Sequence, residues 1–230
     1  MATMGHRPPI VALVCSAGGL PAIEHILSEL TPGFPAAVIV LRHHNPYARD
    51  RLAAILRRSS RLPVWPARDG DQLIAGQVLV APAGYHTVVT CDRTIALVPS
   101  GDRPPYRPSA DLLLTSMAVA AGSQAIAVVL SGYGNDGATG ATAVHHLGGM
   151  VVASDEPSSA VFAMPNATIS RDEIIDHVCP VGEIAALLAA SLTDRVTPLC
   201  RNHLSPAPAA DAPRRRGRPA GQVRAGPGDD

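Results

Sequence analysis

Ser16 stands between a short apolar run, Ile10–Val14, and two glycines, in the stretch Cys15-Ser-Ala-Gly-Gly19. A serine where a buried strand turns into a helix has an exposed Oγ. The backbone N–H groups near it, at Ala17, Gly18 and Gly19, can stabilise an oxyanion. The same residues also suit a tight turn with an ordinary N-cap serine, and at this site alone the two readings weigh equally. His43 directly follows a second apolar run, where a neutral imidazole can take a hydroxyl proton. His44 is the competing candidate. Asp136 follows a third run. A carboxylate there can orient an imidazole and stabilise its charged form, or it can N-cap the helix beginning at Gly137. Serine, histidine and aspartate are the residue types of nucleophilic acyl transfer. Their chain order differs from that in chymotrypsin, subtilisin and the α/β-hydrolases, and Val14 stands where a G-x-S-x-G elbow needs its first glycine.

These residues must be positioned by alternating strands and helices. Ile10–Val14, Ala37–Leu41, Ala125–Leu130 and Met150–Ala153 are unbroken apolar runs of strand length. Pro21–Leu30, Ala48–Leu56, Ala110–Ala121, Ala138–Leu147 and Val181–Leu192 carry helical spacing, with Ser109 as N-cap and Asp111 in the first turn of the third. Shorter strands are predicted from Val64 and over Gln77–Ala81, Thr87–Cys91, Thr94–Val98 and Glu173–Val178. Continuous apolar strands separated by helices imply a parallel sheet covered on both faces. The predicted fold class is doubly wound α/β, Rossmann-like, with a mainly parallel sheet. Reactive groups then belong at the carboxyl ends of strands. Three polar clusters lie there: the Ser16 stretch, Arg42-His-His-Asn45, and Gly132 to Gly137.

The chain has 230 residues with net charge zero, which removes the simplest case for a dedicated nucleic-acid binder. All 19 of its basic residues are arginine, so no lysine can form a Schiff base or close a P-loop. Aromatics make up 3%, too few for stacking platforms. Cys15, Cys91, Cys179 and Cys200 form neither a disulfide framework nor a zinc pattern. No signal peptide or membrane span is legible, so a cytoplasmic, soluble protein without membrane insertion is expected. The predicted organisation is an N-terminal extension (1–9), one catalytic domain (10–195) and a disordered tail (196–230). From Pro198 onward lie six prolines, six arginines and three acids, with almost no large apolar side chains. Pro213-Arg-Arg-Arg-Gly-Arg-Pro219 resembles an AT-hook, but one copy in an arginine-biased tail reads as a solvated linker.

A rival reading rests on Gly132-Tyr-Gly-Asn-Asp-Gly137, a literal G-x-G-x-x-G between a strand and a helix, with Asp155 and Glu156 after the next strand. It points to a nucleotide-binding oxidoreductase. Against it, the motif falls in the second half of the domain, Asp136 would set a negative charge against the pyrophosphate, and Ser16 and His43 would have no roles. A catalytically inactive receptor-binding module is the third reading.

Taken together, Cys15-Ser-Ala-Gly-Gly-Leu20, Val40-Leu-Arg-His43, Ala75-Gly-Gln-Val-Leu-Val-Ala-Pro82, Arg107-Pro-Ser-Ala-Asp111, Leu130-Ser-Gly-Tyr-Gly-Asn-Asp-Gly137 and Val161-Phe-Ala-Met-Pro165 resemble the catalytic domain of the CheB chemotaxis methylesterases. The likeness runs from about Ile10 to Leu192. It implies hydrolysis of γ-glutamyl methyl esters on methyl-accepting chemoreceptors, with deamidation of receptor glutamines, and no cofactor or metal. It assigns Ser16 as nucleophile, His43 as base and Asp136 as the orienting carboxylate, and makes Gly132–Gly137 the loop that presents Asp136. Two positions flanking the oxyanion region depart from the family: Ala17 replaces a common threonine and Tyr133 a common methionine. Family members commonly carry an N-terminal receiver domain. With nine residues before the first predicted strand, none is expected here.

Overall fold

The computed structural model describes residues 7–45, 47, 51–101, 106–171 and 173–196. The elements are β1 (Ile10–Cys15), α1 (Leu20–Glu29), β2 (Ala37–Arg42), α2 (Leu52–Ser59), β3 (Val64–Pro66), β4 (Val78–Val80), β5 (Tyr85–Val89), β6 (Ile95–Pro99), α3 (Ala110–Ala121), β7 (Ala125–Val129), α4 (Ala138–His146), β8 (Met150–Ser154), α5 (Ala163–Ile169), β9 (His177–Cys179) and α6 (Val181–Val196). Seven strands form one sheet in the order β3-β4-β2-β1-β7-β8-β9, with every adjacent pair parallel.

The strands are apolar throughout because both faces are covered. Val11, Leu13 and Cys15 point into one layer with Ile23, Ile26 and Leu27 of α1 and Ile184 and Leu188 of α6. Ile10, Ala12 and Val14 point into the other with Leu113, Leu114 and Met117 of α3 and Ala141 of α4. Side chains alternate along a strand. Ser16 lies two residues beyond Val14 and His43 two beyond Leu41, which shares the α3–α4 layer. Alternation thus turns both toward the N-termini of α3 and α4. The chain builds outward from β1 to β2, then restarts on the other side of β1 with β7. In open parallel sheets such a reversal opens a crevice beyond the strands' carboxyl ends.

Some boundaries differ from expectation. The short strands expected over Thr87–Cys91 and Thr94–Val98 form a separate antiparallel hairpin, Tyr85–Val89 with Ile95–Pro99, against α3 rather than joining the sheet. The Thr90 and Thr94 hydroxyls bond to each other and Arg93 sits at φ 58°, so a wide turn takes Thr90 and Cys91 off the ladder. At the far edge, Glu173 has φ 54° and Ile174 drops into the core, so pairing starts only at His177. Helix α5 was not legible because Pro165 interrupts the pattern. As its third residue, Pro165 falls in the first turn, where the missing N–H has no intrahelical partner anyway. Helix α2 begins at Leu52; positions 48–50 of the expected helix, Cys200 and the AT-hook-like run lie outside the described residues. Among the described residues no helix is long and apolar enough to cross a membrane.

Candidate active site

Ser16 and His43 sit side by side on neighbouring strands. The β1–β2 ladder pairs Cys15 with Arg42, and the His43 N–H donates to the Cys15 carbonyl at 3.0 Å. Ser16 is tied to the other neighbour, its N–H donating to the Ser131 carbonyl at 2.9 Å. Both side chains line an open cleft of about 600 Å³, together with His44, Tyr106, Arg107 and Tyr133. A smaller hollow of about 330 Å³, at the β3 edge around Trp65 and Ile74, is lined by no serine, cysteine or histidine.

The His43 Nε2 lies 2.7 Å from Asp136 Oδ2. Asp136 is buried and accepts three further hydrogen bonds: from Ala110 N–H at 2.6 Å, Asp111 N–H at 2.9 Å and the Ser109 hydroxyl at 3.1 Å. It therefore does not cap α4, as one reading of the sequence had it, but sits on the N-terminus of α3, whose N-cap is Ser109. The N–H groups and the positive end of the helix favour the anion. Burial alone raises the Asp136 carboxyl. The bond from His43 and the N–H groups of Asp111 and Ala110 outweigh it and hold the group below the usual carboxylate range. An ionised Asp136 only accepts, so Nε2 carries the proton and Nδ1 is the acceptor of the neutral ring.

Asp111 returns the favour. Its Oδ1 accepts from Gly137 N–H at 2.9 Å and Gly140 N–H at 2.8 Å, capping α4. Burial pushes the Asp111 carboxyl up, and neighbouring Asp136 adds to the rise. Each of two adjacent helices thus has its N-terminus closed by a carboxylate from the other's segment. This gives Arg107-Pro-Ser-Ala-Asp111 its role: it holds Asp136 and the loop that carries it. His86 supports the same turn, its Nδ1 accepting from Ser109 N–H at 3.0 Å. Burial, with help from Arg107 and against Asp136, holds this imidazole below its ordinary value.

Around Ser16 the donors are open. Among the described residues the N–H groups of Ala17 and Gly18 make no hydrogen bond, whereas Gly19 N–H is committed to the Ser16 carbonyl at 3.3 Å and leaves the expected oxyanion set. The Ala17 carbonyl is pinned by the Ser131 hydroxyl at 2.9 Å, and that hydroxyl accepts from Val161 N–H at 2.9 Å. Gly18 has φ +76°, and a Cβ there would lie 2.6 Å from Ala160 Cβ, so only glycine fits. The Ser16 hydroxyl forms no hydrogen bond among the described residues. It shares the cleft with His43 without touching it in that way, and such contacts tighten when substrate binds. Cys15 is no rival nucleophile: burial, only partly offset by Arg42, pushes its thiol up to about 12. Among the described residues no three His, Cys, Asp or Glu side chains gather as metal ligands.

The family model for CheB methylesterase matches residues 11–188. The chain belongs to the CheB methylesterase family. A protein-glutamate methylesterase/protein-glutamine glutaminase of Myxococcus xanthus is 39% identical over 193 residues, 83% of this chain and 56% of that protein. One from Anaeromyxobacter dehalogenans is 40% identical over 185 residues, 79% of this chain and 53% of that protein. The chain thus spans about half the length of the curated relatives it matches. The crystal structure of the Thermotoga maritima CheB methylesterase catalytic domain superposes with a TM-score of 0.75 at 33% identity, covering 80% of this chain and 98% of that one. The doubly wound parallel fold is that of the CheB catalytic domain.

In this CheB-family fold several N–H groups of the G-x-G-x-x-G motif and of the helix start behind it are already taken. Gly137 and Gly140 give their N–H groups to Asp111, Asn135 N–H goes to the Tyr106 hydroxyl, and Gly132 N–H goes to the Val161 carbonyl. Asp155, the expected ribose acid, accepts from the Ser158 N–H and hydroxyl. The oxidoreductase reading finds no support. Of the two histidines, Asp136 pairs with His43. His44 lines the cleft, with its backbone N–H on the Arg107 carbonyl at 3.2 Å. Sequence reasoning missed Tyr106, whose ring stacks on His43 at 5.3 Å between centroids. The signal available was its place beside the Arg107–Asp111 motif.

Proposed function

We propose that this domain is a serine hydrolase that removes methyl esters from glutamate side chains of methyl-accepting chemoreceptors, and that the same site deamidates receptor glutamines. The observation that carries the reading is the 2.7 Å bond between His43 Nε2 and a buried, multiply hydrogen-bonded Asp136, in the cleft that Ser16 also lines. The names of the curated relatives support a protein-glutamate methyl ester as substrate and the glutamine reaction; the chemoreceptor is what the family resemblance implies.

Ser16 Oγ attacks the ester carbonyl while His43 Nδ1 takes its proton. Asp136 stays ionised and stabilises the imidazolium through Nε2–H. The Ala17 and Gly18 N–H groups, at the uncapped N-terminus of α1, receive the oxyanion. His43 then gives that proton to the departing methoxide oxygen, or to the amide nitrogen of glutamine, as the C–O or C–N bond breaks, releasing methanol or ammonia. Water deprotonated by His43 attacks the glutamyl-Ser16 ester, giving glutamate and regenerating the hydroxyl. Every step uses groups of the protein itself. The proposed setting is the cytoplasm, in keeping with free thiols at Cys15, Cys91 and Cys179. The proposed partner is a methylated chemoreceptor or a related methylated signalling protein; no nucleic-acid role is proposed for the tail.

The test is methanol release from a receptor fragment carrying methylated glutamates, with wild type and Ser16→Ala in parallel. The reading expects release by wild type and a loss of about 10⁴- to 10⁶-fold in the variant, with unchanged melting temperature. Equal release by both would overturn it.

A further inference from the structure

We infer that Tyr106 is the positioning residue that sets the plane of the His43 imidazole, an inference that rests on His43 being the base. Asp136 grips the ring at one nitrogen only, Nε2. A single hydrogen bond fixes one end of an imidazole but leaves it free to tilt about that bond, carrying Nδ1 toward or away from Ser16. A second restraint is needed, and among the described residues Tyr106 provides one against the ring face. The two rings stack with centroids 5.3 Å apart and planes 23° from parallel. Offset stacking of this kind resists tilting.

Tyr106 is itself held, and by the loop that presents Asp136. Its hydroxyl donates to Asn135 Oδ1 at 3.1 Å and accepts from Asn135 N–H at 3.4 Å. Asn135 adjoins Asp136, so one phenol is bonded next to the carboxylate while its ring lies on the base. Gly134 is shaped around it: at φ +81°, an added Cβ would fall 2.3 Å from the Tyr106 oxygen and 3.0 Å from the ring. The middle glycine of the G-x-G-x-x-G run therefore makes room for a tyrosine, not a phosphate. The next residue closes the circuit, since the Arg107 carbonyl accepts from His44 N–H at 3.2 Å. His43 is thus fixed by three segments: its own strand end, the Asp136 loop and the Tyr106–Arg107 segment leading into α3.

The experiment measures kcat and KM for methanol release, together with the downfield proton resonance of His43 Nε2–H bonded to Asp136, in wild type, Tyr106→Phe, Tyr106→Leu and Gly134→Ala. Phe keeps the stack and loses only the tether to Asn135, so kcat stays within about threefold. Leu removes the ring face, and kcat falls about 10- to 100-fold at nearly constant KM, since small misplacements of a catalytic group cost that much. The His43 resonance broadens or shifts in Leu and is retained in Phe. Gly134→Ala displaces the ring without deleting it and reproduces the Leu result, which keeps the test valid if Tyr106→Leu does not fold. A folded Tyr106→Leu with wild-type kcat and an unchanged resonance overturns the inference. So does a rise in KM at constant kcat, which would make Tyr106 a substrate contact. Wild type that releases no methanol overturns the proposed reaction instead, and the resonance still decides on Tyr106.

Discussion

Two glycine-rich turns lie side by side at the carboxyl ends of β1 and β7, and they do opposite things with their backbone N–H groups. The first, Ser16 to Gly19, enters α1 with no side-chain cap and no acidic residue in the first turn, and Ala17 and Gly18 N–H are open among the described residues. The second, Gly132 to Gly137, enters α4 with its helix-end donors already filled by the Asp111 carboxylate. One turn is a vacant seat for negative charge. The other has its seat taken and carries a negative charge, Asp136, toward the first. Glycine spacing alone did not separate them; the origin of the capping carboxylate did.

Asp136→Asn attacks the difference most directly. It removes the charge the second turn presents, and kcat should fall by about 10⁴-fold, as loss of an orienting aspartate does in comparable triads. Methanol release is the readout. Gly132→Ala links the turns sterically: the new methyl would lie 2.2 Å from Met164 Sδ and 2.7 Å from Ser16 Cβ. Overpacking of this kind costs about 1–3 kcal/mol, seen in denaturant unfolding, and displacing Ser16 should slow turnover about 10²-fold. Asp111→Ala empties the filled seat. Loss of a cap costs about 0.5–2 kcal/mol, and the loosened Asp136 loop should lower kcat about tenfold.

The smallest effect is on pH dependence. His86 titrates below its ordinary 6.5 in the folded protein, so around that value the unfolded chain binds more protons. The stability that neutral His86 contributes is complete above pH 6.5 and declines as pH falls through the lowered value. Asp136, held below 3.8, acts in the same sense at lower pH, while Asp111, held above 3.8, opposes it. His86→Gln keeps an acceptor for Ser109 N–H and does not titrate. Its unfolding midpoint should fall less than that of wild type between pH 7 and pH 5.

The sheet was legible because buried parallel strands announce themselves as unbroken apolar runs, as Ile10–Val14 and Ala125–Leu130 do. The residues brought to the cleft, Ser16 and His43, were legible for the same reason: each stands two residues past the end of such a run. What was not legible depends on contacts distant in sequence. Asp111 caps a helix that begins 27 residues later at Ala138, and Tyr106 stacks on a histidine from another strand. The early end of β5 and the late start of β9 go with Arg93 and Glu173 adopting positive φ, which neither residue type advertises.

The proposed nucleophile, Ser16, sits in the open turn. A serine-directed fluorophosphonate followed by peptide mass spectrometry tests it without a receptor substrate. One adduct is expected, on the peptide containing Ser16, absent in Ser16→Ala and formed far more slowly in Asp136→Asn. An adduct on any other residue, or labelling of Ser16 at the same rate in Asp136→Asn, would contradict it.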